Sequence, residues 1–135
     1  MYSPRRLAPA ASYPGGMDGA PECHPGGLQA FCPRYHQAIE IIGRRWTGVI
    51  IRALLAGATR FSQIRSTIPG LSDRLLSERL KELEAEGIVE RRVLPDTPVR
   101  IEYHLTPKGE ALAGVVQAAS AWAEEWLVPA PAGRP

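Results

Sequence analysis

Four side chains in one stretch of the chain have the chemistry to read base edges: Arg74, Ser77, Glu78 and Lys81. Arg and Lys donate to guanine, Glu accepts from the cytosine amino group, and Ser serves in either sense. At about 100° per residue the four share one face of a helix. Leu76, Leu80 and Leu83 recur at helical spacing and supply an apolar face to bury. Ser72 has the right chemistry for the N-cap, Asp73 suits the positive first turn, and Gly87 suits a left-handed stop. By charge alone a solvated helix face is the better reading, because Glu82, Glu84 and Glu86 make the far end acidic. The neighbouring segments decide for DNA. In a helix-turn-helix the N-terminal part of the second helix meets the bases, and the acids lie at the other end.

Further candidate contacts flank that helix. Arg60, Ser62, Gln63 and Arg65 border a short helix before it and suit backbone positioning, as does Ser72 at the cap. Arg91, Arg92 and Arg100 approach a turn at residues 95–98, where a wing would hold phosphates or enter a minor groove. Strand alternation sends Arg91 and Arg92 to opposite faces. The expectation is therefore that Arg100 and one of that pair serve, the competing reading being a charged face that keeps the hairpin soluble.

Other chemistry is thinner. Cys32 precedes Pro33 at a helix start, where the helix end and Arg34, Arg44 or Arg45 would stabilise a thiolate. It is a candidate redox sensor, against the plainer reading of a buried thiol. Cys23, on this reading, is an unperturbed thiol in a tail. Cys23, His24, Cys32 and His36 fit no common zinc spacing, so no metal site is expected. No phosphate-cradling glycine loop and no Ser/His/Asp constellation with a context appears, so neither an enzyme nor a cofactor is expected. Trp122 and Trp126 lie four apart on one helix face, and Trp46 could meet them. Core packing explains them in part, but a terminal helix with two large aromatics has little core left to cover. A homodimer interface is the sharper expectation, and two-fold symmetry would set two reading helices about 34 Å apart.

The elements that must position these residues follow in order. Pro33 opens a first helix with Ala38, Ile39, Ile41 and Ile42 as its apolar positions, and Gly43 ends or loosens it. Residues 46–55 read as a second helix closed by Gly57. Residues 61–68 read as a short helix capped by Thr59 or Ser62, and Pro69–Gly70 is the turn into the reading helix. Residues 88–94 and 99–105 form a hairpin. Thr106 caps a last helix, with Pro107 at its first position, that runs to Trp126. The fold class is mainly α with a β-hairpin, a winged helix-turn-helix over residues 31–128. Residues 1–30, rich in Pro, Gly and Ala, read as a disordered tail, and residues 129–135 as a second one.

Composition bounds the rest. A chain of 135 residues, 44% hydrophobic, suits one modest core. No apolar run nears the roughly 18 residues that span a bilayer, and no secretory apolar block opens the chain, so a cytoplasmic location is expected. The net charge of +2 says little about partners. Of the 16 basic residues only Lys81 and Lys108 are lysine, and Arg suits forked contacts to phosphate and guanine. A GC-rich genome would enrich Arg, Ala, Gly and Pro together, and that bland account fits as well.

From Cys32 to Trp126 the chain resembles the HxlR-type winged helix-turn-helix regulators, relatives of the MarR group. The resemblance is carried by Cys32-Pro33, Ile42-Gly43-Arg44-Arg45-Trp46-Thr47, Arg60-Phe61-Ser62-Gln63-Ile64-Arg65 and Ile68-Pro69-Gly70-Leu71-Ser72. It continues through Leu76, Leu80, Leu83-Glu84, Gly87-Ile88-Val89-Glu90-Arg91 and the run from Arg100 to Gly109. It implies a cytoplasmic, homodimeric transcription regulator that binds double-stranded operator DNA. Some members use a cysteine at the place of Cys32 to sense oxidants or electrophiles, which implies a small-molecule or electrophile inducer. A small dimer works most simply by occlusion, which favours a repressor. The alternative is a winged helix that binds proteins and has lost DNA.

Overall fold

Thr106 and Ser72 show how closely local chemistry sets the element boundaries. In the computed structural model, which describes residues 30–127, the Ser72 hydroxyl accepts from the Leu75 N–H at 3.1 Å and starts a helix. Thr106 Oγ1 accepts from the Gly109 N–H at 3.1 Å and starts another. The order is α1 (Pro33–Ile42), α2 (Thr47–Leu55), α3 (Phe61–Thr67), α4 (Asp73–Ala85), β1 (Val89–Leu94), β2 (Arg100–Leu105), α5 (Pro107–Glu110) and α6 (Ala113–Trp126). The two tails expected from composition lie outside the described residues.

Contacts divide the chain after Gly43. In the first unit, Pro33 opens α1 and the Cys32 sulfur accepts from the Tyr35 N–H at 3.4 Å. Gly43 ends the helix, its N–H bonding the Ile39 carbonyl at 2.7 Å. No residue of α1 is buried.

The second unit holds the core. Ile50 and Ile51 from α2, Ile64 from α3, Leu71, then Leu76, Leu80 and Leu83 from α4, and Val89 from β1 are all fully buried. The three leucines of α4 are the apolar face expected from their spacing, and Gly87 closes the helix at φ +74°, a conformation glycine adopts without a Cβ clash. β1 and β2 pair antiparallel with Val89 opposite Leu105 and Leu94 opposite Arg100. The Tyr103 N–H bonds the Thr59 carbonyl at 2.7 Å, tying the wing to the segment before α3.

Two expectations need correction. The cap of α3 is neither Thr59 nor Ser62. The Gln63 carboxamide oxygen reaches back to accept from the N–H groups of Thr59 and Arg60, each at 3.0 Å. A glutamine at the third helical position does this as well as a hydroxyl at the cap. The last helix is also broken. α5 is one turn, anchored by the Thr106 N–H to the Ile88 carbonyl at 3.0 Å and by Lys108 Nζ to the Glu86 carbonyl at 2.6 Å. The Leu112 N–H then bonds Gly109 three residues back, at 3.0 Å, and the chain restarts as α6. Periodicity cannot see this break, because the apolar positions continue across it. α6 returns against α2, where Arg52 Nη1 donates to Ser120 Oγ.

Candidate nucleic-acid interface

The α3–turn–α4 pair presents the side chains expected to read bases. Arg74 is 88% exposed and Lys81 is exposed, while Ser77 is half-buried. Arg74 Nε pairs with Glu78 Oε2 at 3.0 Å, one helical turn on. Beside them Arg65 of α3 pairs with Asp73 Oδ1 at 2.7 Å across the turn. The Ser72 oxygen is engaged as the cap of α4, which leaves its O–H as the group it can offer a phosphate. Gln63 is similarly committed through its oxygen, and its amide N–H groups are what it can offer. Both serve the architecture first; for Ser72 this is the cap its type predicts, whereas the role of Gln63 was not foreseen.

The hairpin register sets which arginine shares a face with Arg100. Arg92 stands opposite Glu102 and Leu94 opposite Arg100, so Arg92 and Arg100 share a face; Arg91 stands opposite Tyr103 on the other. Arg92 Nε holds Glu90 at 3.0 Å. Arg100 lies 3.5 Å from Asp96 and 3.8 Å from Glu102. A groove of about 790 Å³ runs between the wing tip and the start of α3, with Arg60, Ser62 and Arg100 in its wall. The structure thus brings Arg60, Ser62 and Arg100 together.

A further pair on the wing was not foreseen. Glu102 Oε1 meets His104 Nε2 at 2.8 Å. The hydrogen bond from His104 holds the Glu102 carboxyl below its ordinary range, partial desolvation opposes this, and the charges of His104, Arg100 and Arg60 add to the lowering. Alternation at positions 100, 102 and 104 was the available signal, since it puts all three on one strand face.

Within the chain, Trp46 lies beside the turn of the helix-turn-helix. It sits at the N-cap of α2 with φ +76°, and its Cη2 would lie 3.6 Å from a Cβ built at Gly70. Arg45 stacks over its ring, 5.3 Å from the centroid. Trp46 therefore packs against the helix-turn-helix of its own chain. Trp122 and Trp126, at 59% and 63% exposed, stand on an uncovered stripe of α6 with Val115. Cys32 stands at the N-cap of α1, where its sulfur meets the Tyr35 N–H. Cys23 and His24 lie outside the described residues. Among the described residues no group of three His, Cys, Asp or Glu side chains could hold a metal, and no helix is long and apolar enough to cross a membrane.

A short helix, a turn at Gly70, an arginine-bearing second helix and a basic two-stranded wing define a winged helix-turn-helix protein that binds DNA. Residues 41–131 match the model of the HxlR-like helix-turn-helix family, and the chain belongs to that family. It is 55% identical over 98 residues to the HTH-type transcriptional regulator YvaP of Bacillus subtilis, covering 73% of this chain and 91% of YvaP. It is 50% identical over 98 residues to YodB of the same organism, covering 73% of this chain and 88% of YodB. The reduced form of YodB superposes with a TM-score of 0.65 at 48% identity, over 75% of this chain and 99% of that one. YodB is also known in diamide-treated and quinone-bound forms. The reduced redox regulator HypR superposes with a TM-score of 0.64 at 34% identity, over 68% of this chain and 91% of that one. The protein is a DNA-binding transcription regulator, in a family of regulators rather than enzymes.

Proposed function

We propose that the chain is a sequence-specific repressor, cytoplasmic, acting as a homodimer on operator DNA and released by an oxidant or electrophile. The carrying observation is the clustering of Arg65, Arg74 and Lys81 on the helix-turn-helix beside Arg60 and Arg100 at the wing groove. Arg74, Ser77, Glu78 and Lys81 read bases, with Arg60, Ser62, Gln63, Arg65, Ser72, Arg92 and Arg100 holding the backbone. Arg91 faces away from this set. The exposed stripe of Val115, Trp122 and Trp126 supports a second copy as its cover.

The inducer reading draws on the relatives, YodB in its quinone-bound and diamide-treated forms and HypR in reduced and oxidised forms. It draws also on the place of Cys32 at the N-cap of α1, where the helix end favours a thiolate. Forming a disulfide removes two electrons and two protons from two thiols, and the oxidant accepts them.

The test is selection of duplexes from a random-sequence pool by the unmutated protein. A defined operator is the expected result, bound less tightly after diamide and restored by dithiothreitol. Selection of no sequence overturns the DNA reading; equal affinity before and after diamide overturns the thiol reading alone.

A further inference from the structure

The loop of residues 44–46 is gripped from the back of the reading helix. Arg79 lies on the side of α4 away from Arg74 and Lys81, and only 14% of its side chain is exposed. Its Nε donates to the Arg45 carbonyl at 2.9 Å. Its Nη1 donates to both oxygens of Glu82, at 3.3 and 3.2 Å. Glu82 in turn holds Arg44 Nη1 at 2.7 Å. One arginine thus bridges a backbone carbonyl and a carboxylate, and that carboxylate fastens the side chain of the residue before.

The gripped loop is strained. Trp46 takes φ +76°, a left-handed conformation costly for a bulky residue and kept only where the surroundings over-determine it. Its ring lies by Gly70, in the turn that joins α3 to α4. The same three residues therefore touch the turn before the reading helix through Trp46 and the helix itself through Arg79 and Glu82. Two attachments at separated points fix the helix in rotation and in tilt, where the leucine face alone fixes chiefly its depth.

We propose that Arg79 and Glu82 are positioning residues for DNA reading: they touch no DNA and set the angle at which Arg74, Ser77, Glu78 and Lys81 meet the base edges. The proposal rests on the reading of α4 as the recognition helix. Arg79 is specific to the task because its fork reaches a carbonyl and a carboxylate at once, which a lysine cannot reproduce.

The experiment compares the unmutated protein with Arg79→Lys, Arg79→Ala and Glu82→Gln. The probes are the duplex chosen by the unmutated protein from a random pool and a scrambled duplex of equal length, each titrated across salt concentrations. Expected is a fall of about 3- to 30-fold in the ratio of chosen to scrambled affinity for both Arg79 variants. The salt slope should stay unchanged, because no phosphate contact is lost. Glu82→Gln should fall in the same direction by less, since it keeps the bond from Arg79 to the Arg45 carbonyl. If Arg79→Ala does not fold, Arg79→Lys decides alone. A lowered Tm with an unchanged affinity ratio makes the clamp purely structural and overturns the proposal, as does a reduced salt slope, which would make Arg79 a phosphate contact. Arg74→Ala, measured alongside, separates the two levels. If it too leaves the ratio unchanged, the reading of α4 is wrong; if it alone lowers the ratio, only the clamp is.

Discussion

Glu102 is the residue whose chemistry most depends on its neighbours. Its lowered pKa comes first from the hydrogen bond of His104 and then from the charges around it. A carboxylate whose folded pKa is lowered stabilises the fold fully above the unfolded glutamate value, about 4.5. That contribution disappears as pH falls through the folded value. Glu102→Gln should therefore flatten the acid limb of stability measured by urea unfolding between about pH 5 and pH 3, and change the plateau above it far less than the limb. The arginines divide by role at this scale. Arg74→Ala should cost about 1–3 kcal/mol on the selected duplex and blur its preference, while Arg100→Ala should weaken all duplexes alike and reduce the salt slope by about one. Residue type and helical spacing were enough to put Arg74, Ser77, Glu78 and Lys81 together on one face of α4. The engagement of Gln63 with the backbone was not legible, because a side chain that can donate to phosphate can equally cap a helix, whereas Ser72 was legible as the cap of α4. The neighbours of Trp46 within the chain, Arg45 and Gly70, were not legible either, because its type marks a contact but not with what.

Elements were legible where one period governs. The leucines of α4, its cap and its closing glycine lie where spacing puts them, and the hairpin differs from expectation by a residue at the start of each strand. The break between α5 and α6 was hidden because it is imposed from outside the segment. Gly109 presses on the residue before β1 so closely that a Cβ there would come 2.3 Å from the Ile88 carbonyl oxygen. Gly109→Ala must push α5 away from the strand, and a cost of about 1–3 kcal/mol is expected, seen as a lower Tm. Gly114 is the contrast: nothing lies within 4 Å of a Cβ there, early in α6. Gly114→Ala should raise stability by up to about 1 kcal/mol through helix propensity. If both alanines behave alike, the tight approach at Gly109 is not what sets the break.

At the scale of the molecule, the striped face of α6 separates folding from assembly. A buried tryptophan lost to alanine costs about 3–5 kcal/mol, but Trp122 and Trp126 are more than half exposed within one chain. Their joint replacement by alanine should therefore dissociate a dimer while leaving the single-chain core of Ile50, Ile64 and Leu76 folded. Sedimentation velocity at micromolar concentration, with circular dichroism beside it, reads both. A monomeric unmutated protein would remove the basis for this expectation.

If Arg65, Arg74, Arg92 and Arg100 face DNA as proposed, their ion pairs have a consequence for how such a protein spends its time. Arg65, Arg74, Arg92 and Arg100 each already hold a carboxylate of their own chain, and the whole carries a net charge of only +2. Meeting a phosphate is then an exchange of one anion for another rather than the capture of a bare cation. Random DNA offers phosphates but no matching bases, so it gives little in return for the exchange. A regulator balanced in this way travels the genome lightly, lingering only where Arg74 and its neighbours find base edges that repay the loss of their internal partners.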